Sequence, residues 1–185
     1  MGELSTAEIN SNSSSTNETR DDTPKQMLSR FYSLQEERVQ TYSMFEEGFQ
    51  AYLKGAPNYN FPLYRQLVSE ITETFNKIST DILSIKSTFA EWNNLLPISE
   101  IIGKIQDAEK TKLELTAKLQ LCRQKLQSEN SDTAQSEVDD IKEQLKENRD
   151  FLVEQMEELK YESEDLYTED SSEPEAVDST LSAER

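Results

Sequence analysis

Between Tyr64 and Trp92 the residues Val68, Ile71, Phe75, Ile78, Ile82, Ile85, Phe89 and Trp92 recur at alternating spacings of three and four. Ser, Thr, Glu, Asp and Lys fill most of the intervening positions, and no Gly or Pro interrupts them. This is a heptad seam on one continuous helix. At a rise of ~1.5 Å per residue the seam is a rod about 43 Å long with one apolar edge. Such an edge demands partners, so the other long segments are expected to lie along it.

Those segments are legible on either side. Thr23-Pro24 reads as a capping residue followed by proline in the first turn, and opens a first helix running to about Lys54. Gly55 is expected to end it in the left-handed conformation. Phe31, Leu34, Phe45 and Tyr52 form one stripe, and Leu28, Val39, Tyr42, Phe49 and Leu53 a second beside it, enough to face two neighbours. A short turn from Gly55 to Pro62 makes helices one and two an antiparallel hairpin. After Asn93-Asn94 and Pro97 a third helix carries Ile98, Ile101, Ile105, Ala108, Leu115, Leu119, Cys122 and Leu126, broken by Lys112. Cys122 reads as a small buried hydrophobe on that seam.

A polar loop is expected at 128–135, with Ser136 and Asp139 resembling a capping box for a fourth helix to about Tyr167. Its face is narrow (Val138, Ile141, Leu145, Leu152, Met156, Leu159, Leu166), is interrupted by Asn148, and covers one neighbour. The fold class is therefore all-α: an antiparallel bundle of three to four long helices with coiled-coil-like packing and disordered tails. The boundaries are an N-terminal tail at 1–22, a three-helix core at 23–128, an acidic fourth helix at 129–167 and an acidic tail at 168–185.

Charge narrows the partners. The formal net charge is −18, with 13 basic and 12 acidic residues over 24–128 but 5 basic and 20 acidic over 129–185. No basic cluster marks a nucleic-acid face, so direct tight binding to nucleic acid is not expected. No apolar run is long enough to span a membrane, and the N-terminus lacks a secretory pattern. Met1-Gly2 with Thr6 fits a myristoylation pattern, but no basic patch follows as a second membrane signal. Asn12 and Asn17 fit glycosylation patterns that stay silent without secretion. Ser172, followed by Glu173 and Glu175, fits an acid-directed kinase. An intracellular soluble protein, nuclear or cytoplasmic, is expected.

Chemistry is sparse. With no histidine, one cysteine and four isolated glycines, the chain lacks a Ser-His or Cys-His pair, a zinc finger and a phosphate-binding loop. No catalytic residue, cofactor or metal is expected. Two features stand apart. Arg38 lands on the first helix's seam, where it either snorkels to the edge, pairs with a bundle carboxylate or presents a partner contact. Tyr59 and Phe61 are aromatics in a loop, either a plug on the bundle end or a docking knob.

The string Leu34-Gln35-Glu36-Glu37-Arg38-Val39-Gln40, Phe45-Glu46-Glu47-Gly48, Ala51-Tyr52-Leu53, then Pro57, Tyr59, Phe61-Pro62, Tyr64-Arg65, Val68 and Glu70-Ile71-Thr72, followed by Phe75, resembles the Required for excision 1-B domain family. The resemblance covers roughly Phe31–Leu126. It implies a small helical protein associated with DNA repair, and no catalytic residue comes with it. Carried over by position, Arg38, Tyr59, Phe61, Pro62, Tyr64 and Arg65 are the candidate partner-binding residues. The expectation is a non-enzymatic accessory factor acting through protein partners, as a monomer or in a hetero-oligomer. The alternative is a structural adaptor or assembly subunit with no repair role.

Overall fold

The computed structural model describes residues 22–129 and 131–168. Four long helices pack against one another: α1 (Pro24–Lys54), α2 (Phe61–Ala90), α3 (Leu96–Glu129) and α4 (Asp132–Glu162), with a short α5 (Asp165–Thr168) after the last. Successive helices are joined by tight connections and run antiparallel, giving an up-down-up-down bundle. The expected tails at 1–22 and 168–185 lie outside the described residues except for Asp22 and Thr168, as do Gly2, Asn12, Asn17 and Ser172.

Local chemistry sets the helix ends. Thr23 Oγ1 accepts from the Gln26 amide while Gln26 Oε1 accepts from the Thr23 amide, a reciprocal cap at the start of α1. Asn60 Oδ1 accepts from the Leu63 amide and opens α2 one residue before Pro62. Gly55 does end α1, but with φ −73° and ψ −2° it is right-handed, a conformation open to any residue. Its amide donates to Tyr52 O, tightening the last turn instead of reversing the chain through a left-handed residue. The loop expected at 128–135 is far shorter. Ser131, not Ser136, caps α4 by accepting from the Ala134 amide, and Asp132 then sits in the first turn where the helix dipole favours acid.

The α2 seam lies between α1 and α3, with Ile71, Phe75, Ile78, Ile82, Ile85 and Phe89 all buried, while α4 packs on α3 and not along the seam as expected. Trp92 falls beyond the helix end, half-buried and edge-on to Phe89. The core is divided. One large cluster joins Leu28 and Phe31, Ile82 and Phe89, Ile102 and Ile105, and Leu152 and Leu159 from all four helices. A smaller one joins Phe45, Ile71 and Phe75 nearer the α1–α2 turn. Helix α4 leans mainly on α3 and reaches α1 chiefly through α5. Cys122 is only half-buried, its Sγ 3.8 Å from Glu137 Oε2, because the rim between α3 and α4 is polar there.

Candidate functional site

Three irregularities in three different helical seams, Arg38, Lys112 and Asn148, converge on one level of the bundle, between the two clusters. Arg38 is buried, and its guanidinium donates to Gln35 Oε1 (3.0 Å), Gln106 Oε1 (2.7 Å) and Ser79 Oγ (3.3 Å). Burial pulls its pKa below the ordinary arginine value, against the opposing field of Glu109. Beside it the Tyr42 hydroxyl donates to the Glu109 carbonyl, and Lys112 Nζ sits 4.2 Å from the Tyr42 ring centre while pairing with Glu109 Oε1 at 3.5 Å. Desolvation, then Glu109, raises the Tyr42 pKa strongly. Asn148 closes the belt by donating to the Ala108 carbonyl from α4. Arg38 thus lies inside the bundle and links α1, α2 and α3.

The tip around the α1–α2 turn separates into an inner and an outer set. Tyr64 stacks on Tyr52 with centroids 4.5 Å apart, and Tyr59 lies against the same ring at 5.0 Å. The Tyr64 hydroxyl donates to Gln120 Oε1 at 2.6 Å, so the stack is anchored to α3. Burial, with Tyr52 and Glu46 adding to it, pushes the Tyr64 pKa up to about 12. Arg123 Nη1 reaches Glu46 at 2.7 Å and lies over the Phe49 ring, fastening α3 to α1. Phe61, Pro62 and Arg65 are exposed, and with Leu63 they form the outer face of the tip. The structure therefore brings Tyr59, Phe61, Pro62, Tyr64 and Arg65 together at one end and places Arg38 apart in the belt.

A second surface was not legible in the apolar stripes. Because α4 leans on α3, an open groove of about 1110 Å³ runs between α1 and α4, lined by Tyr32 and Val39 on one side and Val153, Met156, Tyr161 and Tyr167 on the other. Val39, which the sequence places on an apolar stripe, is 64% exposed here, and Val153 and Tyr161 are 53% and 78% exposed. Only their apolar character at positions off the α4 seam could have signalled the groove. Its lower end is closed by α5, where Lys25 Nζ sits over the Tyr167 ring. Partial burial raises the pKa of the Tyr32 phenol, and Tyr167 adds to the rise.

These features define an all-helical four-helix bundle with a polar belt, an aromatic tip and an open interhelical groove. The model of the family described as DNA repair REX1-B matches residues 26–123, just over half of the sequence, and the chain belongs to that family. A Bos taurus protein named Required for excision 1-B domain-containing protein is 33% identical over 97 residues, covering 52% of this chain and 54% of the relative. The Mus musculus protein of the same name is 28% identical over 95 residues, covering 51% and 56%. The chain spans about half the length of the curated relatives it matches. No solved structure matches it. The matched region takes in α1, α2 and α3 as far as Arg123, and with them the tip and the belt apart from Asn148, but not α4.

Proposed function

We propose that this protein is an accessory factor in DNA repair that works by binding other proteins and catalyses no reaction itself. The observation that carries the reading is membership of a family described by DNA repair. Its chemistry supports the second half. The whole chain lacks histidine, and most of the belt's polar atoms are engaged in internal hydrogen bonds and ion pairs, Glu109 Oε2 and Asn148 Oδ1 excepted. A strongly acidic chain repels nucleic acid and is better suited to basic partners. No helix among the described residues is long and apolar enough to cross a membrane. A nuclear location, with or without a cytoplasmic pool, fits this role.

The outer tip is the surface we assign to a partner in this reading. Phe61 is 58% and Leu63 63% exposed, next to Pro62 and Arg65, while Tyr59, Tyr64 and Arg38 hold the tip and bundle in shape beneath them. Cells lacking the protein should survive ultraviolet and oxidative damage poorly, and Phe61→Ala with Arg65→Glu should fail to restore survival although the protein stays folded. Normal survival of the null cells would sink the repair role. The adaptor reading is favoured by one observation, that α4 lies outside the family match yet makes the largest interhelical contact of the bundle, with α3. Sedimentation separates the two: a monomer supports the closed bundle, and an obligate assembly the adaptor.

A further inference from the structure

The tip leaves unexplained the groove between α1 and α4, where exposed apolar side chains face each other across a trough that the described residues leave open. We propose that this groove seats an amphipathic helix of a protein partner whose flanks carry Lys and Arg. This rests on the reading that the protein acts through protein contacts, but concerns a surface separate from the tip.

Shape comes first. The α4 wall runs from Arg149 to Lys160, about 17 Å at ~1.5 Å per residue, room for some three turns of a docked helix before α5 closes the end. Val39 on one side and Val153 and Met156 on the other supply the apolar seat, and Tyr161 presents a large ring at the rim. An apolar helix face placed there removes from water surface that none of the described residues covers.

Charge selects the occupant. From Glu147 to Asp165 the chain has eight acidic and two basic residues, a net of −6, all exposed. At 100° per residue, Asp150 and Glu154 continue the outer rim on α4, and Glu36 follows Gln35 on α1. Of the cations in the lining, Lys112 is engaged by Glu109 and the Tyr42 ring. The lining itself is balanced, Glu109, Glu157 and Glu164 against Lys112, Arg149 and Lys160, so the excess of acid lies on the outer side of α4, at Asp150 and Glu154. A helix bearing acid on its flanks would meet like charge along the outer rim of α4 and at Glu36, as would an anionic membrane, whereas basic flanks meet complementary charge there. The apolar seat and the acidic α4 rim together favour one class of ligand.

The test uses the full chain and two synthetic 18-residue helical peptides with the same leucine face, one flanked by Lys and the other by Glu, read by fluorescence anisotropy. The Lys peptide should bind at least tenfold more tightly than the Glu peptide and weaken as salt rises. Val39→Glu with Val153→Glu should reduce its binding tenfold or more without lowering the melting temperature. Their added negative charge would strengthen a merely electrostatic attraction, so a loss isolates the apolar seat. Leu121→Glu and Phe61→Ala, on other exposed apolar sites, should leave binding unchanged. Equal affinity for both peptides, no binding of the Lys peptide, or full binding by the groove variant overturns the proposal. So does a dimer of the native chain that the groove variant dissolves, since the occupant is then a second copy. A failure here leaves the repair role standing, which only the survival assay decides.

Discussion

A buried arginine fixes more of this bundle than its size suggests. Arg38 donates to acceptors on its own helix, on α2 and on α3, so its removal leaves the half-buried Gln106 and Ser79 without their donor. Each buried group left unpaired costs roughly 1–3 kcal/mol, and Arg38→Ala should lose about 3 kcal/mol by urea denaturation. Changing both sides at once, Arg38→Met with Gln106→Leu, should recover part of that loss, because the closest acceptor is removed with its donor and Ser79 alone across the bundle is left without its partner. A double variant as weak as the single one would mean that the belt stabilises the fold beyond its own satisfaction. Tyr64 makes a second prediction. Its folded pKa of about 12 lies above the ordinary value of 10.0, so the neutral phenol is favoured by the fold. Below pH 10 this contribution is fully present, and it is lost as pH rises from 10 through 12, where the unfolded chain ionises first. Tyr32 and Tyr42 are shifted in the same direction and add to the loss. The urea midpoint should therefore fall steadily above pH 10, and less steeply in Tyr64→Phe.

At the level of elements, the α1–α2 hairpin depends on a glycine placed for contact and not for backbone freedom. A Cβ on Gly48 would fall on Leu67 Cδ2, so a side chain there must push Leu67 out of its place in the hairpin. Alanine gains about 1 kcal/mol of helix propensity there. Displacing Leu67 from its packing against the Phe45, Ile71 and Phe75 cluster costs about 1–3 kcal/mol. Gly48→Ala should thus be destabilising by about 1 kcal/mol, a fall of roughly 2–4 °C in melting temperature for a chain of this size. Gly48→Val should be worse. A rise in melting temperature with alanine would show that Leu67 moves aside freely. The hydrogen bond from Tyr64 to Gln120 and the Arg123–Glu46 pair then carry the order of this hairpin across to α3.

On the scale of the molecule, the family match and the folding unit do not coincide. The match ends at Arg123, but Val138, Ile141, Leu152 and Leu159 of α4 are all buried. Each such side chain contributes about 1.5–3 kcal/mol, and together they approach the ~5–15 kcal/mol that holds a domain folded. A chain ending at residue 129 should therefore melt broadly and bind a hydrophobic dye, with the α3 face opened. A sharp melt at the full-length temperature would show instead that α1, α2 and α3 fold alone. The same lean of α4 toward α3 that completes the core is what leaves the α1 side open as a groove. Fold closure and an available surface come from one asymmetry.

The amino-acid sequence by itself determined the helices, because apolar spacing and capping are local: the α2 seam, the α1 limits at Pro24–Lys54 and the narrow face of α4 follow from residues a few positions apart. It also determined that Arg38, Lys112 and Asn148 break their seams, and the family to which the tip residues point. That these breaks share one level was decided by tertiary packing, since residues 40 and 68 positions apart meet only once the helices are in register. Periodicity could not divide Tyr59 and Tyr64, anchored against Tyr52, from Phe61 and Arg65 in water. Nor could it place Val39 in an open trough, because a stripe records which face is apolar and not which neighbour arrives to cover it. The shorter α3–α4 loop has the same origin in competition: Ser131 and Ser136 are both capable caps, and the earlier one is the one used.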